Sequence, residues 1–145
     1  MLRGAIVAAM LFLSAASALA TGGFDCTIDD QNLKFDAQSA FSRGLGEQFV
    51  NFRAEAEVLA AGTPEPLRKL KLDDSLAHSW LFGPELKLRL YRETDSGPHG
   101  YVEIVIETRT EAEDDTGYEG TYTLIIYVAE GGESVFNGKA SCSVG

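Results

Sequence analysis

Two cysteines near the ends of the chain, Cys26 and Cys142, are the residues whose type and spacing point most directly to chemistry, and that chemistry is oxidation. They make an even pair with no C-x-x-C spacing that would lower a thiol pKa for redox work. Outside a reducing compartment their expected fate is one intramolecular bridge, rather than two buried free thiols or a link between chains. Such a bridge closes nearly the whole chain, and the chain-entropy model assigns about 4–5 kcal/mol to a loop of that length.

Other chemistry finds little footing. The two histidines, His78 and His99, stand alone, with no H-E-x-x-H or comparable spacing, so they read as solvated loop residues and no metal is expected. There is no G-x-S-x-G elbow and no glycine-rich phosphate loop between a strand and a helix. Two spaced carboxylates could serve a glycosidase, but among 22 acids nothing singles out a pair. The acidic stretch Glu111, Glu113, Asp114, Asp115 and Glu119, with Gly117 for a tight turn, offers oxygen ligands of the kind calcium takes. Its spacing departs from the EF-hand pattern, and a solvated hairpin loop is the expected reading of 111–119. No cofactor and no catalytic residue is expected.

The compartment follows from the first twenty residues. Arg3 precedes an apolar run, Ala5 to Leu13, and Ala18-Leu19-Ala20 presents small residues at −3 and −1, the pattern of a cleaved signal peptide. The run is short for a membrane span, so no stable membrane anchor is expected. Cleavage near Ala20 leaves residues 21–145 as a single domain, secreted or periplasmic. Taking Arg3 with the leader, the remainder holds 11 basic and 22 acidic residues, a net charge of −11. That field repels nucleic acid and anionic headgroups and favours cationic partners.

The elements that must position these residues repeat with period two. Phe24, Cys26 and Ile28 alternate with polar residues, as do Leu33, Phe35 and Ala37 beyond the turn Asp29–Asn32, and pairing 28 with 33 puts all six on one face. Gln38–Glu47 reads as a loop. Gln48–Ala60 alternates through Val50, Phe52, Ala54, Ala56 and Val58. Leu67–Leu72 is a short strand, and Asp73–Pro84, with Trp80, reads as irregular with one helical turn. Glu85–Glu93, Tyr101–Thr110, Thr121–Ala129 and Lys139–Val144 complete the set. About eight antiparallel strands without helices describe an all-β sandwich or small closed barrel, with one terminal-to-terminal disulfide.

Turn positions set a register for the longer strands. Pairing 90 with 104, and 104 with 126, matches core residues to core residues. The opposite face then carries Lys87, Arg89 and Glu107 at one end, with Lys87 opposite Glu107. At the other end lie Tyr91, Tyr101, Val105, Ile125 and Tyr127, with Val105 opposite Ile125. Tyrosines around β-branched residues have the composition of an interface core. Alternatively Gln38–Glu47 or the Trp80 segment covers them, because bare patches of this kind are rare on monomers.

The expected function is that of a non-enzymatic binding domain recognising another macromolecule, a protein and a cationic one, through this face. Inhibition of a basic secreted hydrolase is a special case. The alternative is a carrier of a small apolar ligand, with a barrel cavity lined by Phe35, Phe52, Leu88 and Ile104. A second alternative is an enzyme with an unrecognised carboxylate site. The barrel-like pattern invites comparison with lipocalins, but their glycine-x-tryptophan signature is replaced here by Phe24-Asp25-Cys26. Small bacterial lysozyme inhibitors match in size, charge and disulfide, yet no motif here is specific to them.

Overall fold

The computed structural model describes residues 21–42, 48–111 and 116–145. The expected leader, 1–20, and most of the acidic stretch, 112–115, lie outside them. Nine strands follow in order: β1 (Thr21–Asp29), β2 (Leu33–Ser42), β3 (Phe49–Val58), β4 (Lys69–Lys71), β5 (Leu76–Phe82), β6 (Glu85–Glu93), β7 (Gly100–Arg109), β8 (Gly117–Val128) and β9 (Gly132–Val144). A 3-10 turn, Glu65–Leu67, precedes β4. All pairings are antiparallel, in the order β4-β3-β2-β1-β9-β8-β7-β6-β5. Two meanders, β1–β4 and β5–β9, thus meet where the first strand pairs with the last.

The all-β antiparallel architecture agrees with the expectation, and the choice between sandwich and barrel resolves as one sheet curled into a half-barrel. Curling is what lets one sheet bury its own inner face. Phe24, Ile28, Phe35, Leu88, Ile104, Leu124 and Ile126 from strands of both meanders belong to a single core, joined by Leu67, Leu70 and Leu72. Leu67 lies against Gly100 of β7, so the first meander's turn reaches the second across the interior.

The bridge expected between Cys26 and Cys142 is present, and the two residues are direct partners in the β1–β9 ladder. That ladder runs only from Phe24 to Thr27, whereas β8 and β9 pair from Gly117 to Val128. The covalent link therefore reinforces the shortest junction between long strands, with both cysteines buried.

Several local expectations are corrected. In the first hairpin Ile28 pairs with Phe35, not with Leu33. The Asp30 carboxylate accepts the amides of Asn32 and Leu33, which centres the turn one residue further on. Gln38–Ser42 is strand, not loop, and only residues 43–47 of that segment are outside the described set. Val50 faces solvent and Phe49 the core. The register shifts opposite Gln38 and Ala40, and Asn51 adopts φ 56°, a left-handed conformation that asparagine tolerates, so a bulge inverts the alternation. Asp73–Pro84 holds no helix but the edge strand β5, tied to β6 by a two-residue turn in which Gly83 takes φ 56° before Pro84.

One buried polar contact spans the sheet. Tyr122 of β8 donates its hydroxyl to the Asp30 carboxylate at 2.6 Å. The bond passes over Gly138, where a Cβ would meet both partners, so glycine is needed there for space. Burial works to raise the Asp30 pKa, but hydrogen bonds from Tyr122, Asn32 and Leu33 outweigh it and hold the carboxyl below its ordinary value. Burial first, and the Asp30 bond second, push the Tyr122 phenol up. Tyr122→Phe is expected to cost about 1.5 kcal/mol at neutral pH, the worth of a hydrogen bond to a charged group. A carboxyl whose folded pKa is depressed stabilises the fold above the ordinary carboxylate range and loses that contribution as pH falls through its folded value. The gap between wild type and variant, measured by urea unfolding, should therefore be widest at neutral pH and narrow in acid.

Candidate interaction face

On the outer face of β6–β9 the ladders align side chains in rows. One row reads Glu93, Tyr101, Tyr127, Glu133. The next reads Tyr91, Glu103, Ile125, Val135, and the next Arg89, Val105, Thr123, Asn137. The β6–β7 register is as expected from the turn at Gly97, with Leu90 opposite Ile104 and Lys87 opposite Glu107. The β7–β8 register is two residues off. Ile104 pairs with Leu124, and Val105 faces Thr123 rather than Ile125. Inward residues stay inward under a shift of two, but outer neighbours change.

That change brings the tyrosines together. Tyr101 and Tyr127 become direct partners with rings stacked 5.2 Å apart, and Tyr91 packs on Tyr101 at 5.1 Å. His99, expected in a solvated loop, stands 5.8 Å from Tyr127 and 6.3 Å from Tyr101, extending the aromatic row. Val135, half exposed, pairs with Ile125 and enlarges the apolar area. Neither His99 nor Val135 is assigned to the face from sequence. The signal for Val135 was the Glu130-Gly131-Gly132 turn, after which Val135 falls on the outer face.

Tyr91, Tyr101, Val105, Ile125 and Tyr127 are each half-buried, while His99, Glu93, Glu133 and Val135 are exposed. Two described segments are candidates for covering this face. Gln38–Ser42 is in β2, in the other meander, and Trp80 sits beside the face on β5, opposite Lys87 and itself 46% exposed.

Charge is distributed unevenly along the rows. At one end Arg89 pairs with Glu103 at 2.7 Å, and Lys87 lies 3.8 Å from both Glu85 and Glu107. Exposed pairs of this kind contribute a few tenths of a kcal/mol each. At the tyrosine end the carboxylates are engaged by phenols. Tyr91 donates to Glu93 at 2.7 Å, and Tyr101 donates weakly to Glu133 at 3.4 Å. The Glu93 bond, then desolvation, push the Tyr91 phenol up to about 12, and desolvation with the Glu133 charge raises that of Tyr101. Both phenols are therefore neutral donors at neutral pH. Two carboxylates, Glu93 and Glu133, bracket the stacked pair across the sheet.

The residues proposed to line a carrier's cavity are placed in the packed core: Phe35, Leu88 and Ile104 are almost fully buried, and Phe52 is half-buried at its margin. Among the described residues no group of three or more histidine, cysteine or acidic side chains is arranged to hold a metal ion. No helix of the described residues is long and apolar enough to cross a membrane, and the disulfide is compatible with an extracellular protein. Comparison with protein-family models, curated proteins and solved structures finds no match to this chain.

Proposed function

We propose that this chain is a secreted or periplasmic, non-enzymatic domain that binds a cationic protein through the outer face of β6–β9. The observation carrying this reading is the row Tyr91–Tyr101–Tyr127, continuous with Ile125 and Val135 and flanked by Glu93 and Glu133. Aromatic side chains supply large contact area with few rotamers to immobilise, as interface cores require. The excess of acid over base speeds encounter with a basic partner, and a basic secreted hydrolase is the special case that would make the domain an inhibitor. The leader-like first twenty residues and the disulfide support the compartment.

The test is capture. Mature protein immobilised through its C-terminus and exposed to its own source's extracellular or periplasmic fraction should retain a basic protein at physiological salt. Raising the ionic strength should slow the association. Native mass spectrometry of the purified protein that instead reveals a tightly held apolar molecule, with no protein captured, would favour the carrier reading.

A further inference from the structure

The half-barrel leaves one seam unzipped. Among the described residues, β3 is flanked on both sides only in its second half, where Glu55–Glu57 pairs with β4, and its first half has β2 alone as a strand neighbour. The changeover is built in: the Asp73 carboxylate accepts the Ala54 amide at 3.0 Å, and Leu72 donates to the Ala54 carbonyl. β5, the other end of the sheet, pairs with β6 alone among the described residues. The connection from Lys71 to Leu76 is short, and its Leu72 and Asp73 lie against Ala54, so β5 starts beside the free half of β3.

Between them lies a cleft of about 590 Å³ whose walls include Phe49 and Phe52 from β3, Asp73 from the connection, and Leu76, His78 and Ser79 from β5. Phe52 and Leu76, partly buried, pack against the core along this seam. Hairpin geometry fixes which amides of β5 face it. Phe82 and Glu85 flank a two-residue turn and form a hydrogen-bonded pair, as then do Trp80 and Lys87. The amides of Ser79 and Leu81 therefore turn outward to the free edge.

We propose that this seam is a strand-insertion site for an extended, cationic polypeptide segment of another protein. A gap bounded by two unpaired strand edges asks its occupant for backbone N–H and C=O groups on both sides, which an extended peptide supplies. Alternate side chains of that strand point inward, over Phe49, Phe52 and Leu76, and are apolar. The others meet the outer rim, where Asp73 and Asp74 bring two carboxylates to the cleft and, among the described residues, no lysine or arginine lines it. Arg92 reaches Asp74 at 3.4 Å, while Asp73 accepts a backbone amide and, among the described residues, has no cationic partner, so basic residues complement the rim. The site is separate from the tyrosine face and does not depend on it.

The probe is a synthetic heptapeptide, Lys-Val-Lys-Val-Lys-Val-Lys, titrated calorimetrically into the mature, disulfide-bonded protein. Micromolar binding is expected, with slowed amide exchange in β5 and in Phe49–Arg53. N-methylation of the central valine removes one ladder donor and should weaken binding about ten-fold, as should exchange of every lysine for glutamate. Ser79→Pro, which deletes an edge donor while sparing the β5–β6 bonds, should weaken binding similarly. Tyr127→Ser should leave the affinity unchanged. Absence of binding overturns the proposal, and so does equal affinity for the N-methylated peptide, because simple attraction to an acidic chain is blind to backbone methylation.

Discussion

Replacing both cysteines, Cys26→Ala with Cys142→Ala, is expected to remove about 4–5 kcal/mol of stability, the loop-closure entropy of a 116-residue separation. For a domain of this size that corresponds to a fall in Tm of roughly 15–25 °C. The loss should also be local in its first appearance. The bridge sits at the four-residue β1–β9 junction, the only ladder joining the two meanders among the described residues, so amides from Phe24 to Thr27 should lose exchange protection first. Those in the long β7–β8 and β8–β9 ladders should hold. Calorimetry and hydrogen exchange on the double variant check both parts, and thiol alkylation of freshly isolated wild type should find no free cysteine. A Tm within a few degrees of wild type would mean that the inner-face packing, not the bridge, holds the seam.

What could be read from the chain beforehand divides along a physical line. Period-two alternation marks a strand buried on one face, and it located the inward sets Leu86, Leu88, Leu90 and Val102, Ile104, Ile106 without error. It is blind to a slip of two. Ile104 opposite Leu124 buries the core as well as Ile104 opposite Ile126 does, so the register depended on the turn, whose centre the pattern does not specify. The tyrosine row is a product of that slip: five residues of the face were named from sequence, but Tyr101 against Tyr127 was not.

Elements with irregular alternation were the ones missed. β5, Leu-Ala-His-Ser-Trp-Leu-Phe, has no full second face to bury, and a bulge near Ala77 interrupts its period. Asn51 inverts the period of β3 in the same way and turns Val50 out. Both irregularities border the open seam, so the cleft between β3 and β5 was invisible to a reading built on alternation.

The second large effect concerns binding. Tyr91→Ser with Tyr127→Ser removes the two tyrosine rings that pack on Tyr101 and leaves His99 as its remaining ring neighbour. Cross-strand aromatic pairs on a solvent face contribute up to about 1 kcal/mol each, so the folded state should lose little. If these rings anchor the partner, affinity for it should fall by about 2 kcal/mol or more, roughly thirty-fold. Reciprocally, Lys87 lies at the charged end of the face, and Lys87→Ala should change that affinity much less. The most direct measurement is therefore a paired one on the double tyrosine variant: its melting temperature, and its capture of basic proteins from the native extracellular or periplasmic fraction beside wild type. A melting temperature lowered by only a few degrees with the captured protein lost is the expected result. A large fall in melting temperature, or an unchanged captured set, would contradict the assignment of this face as the binding surface.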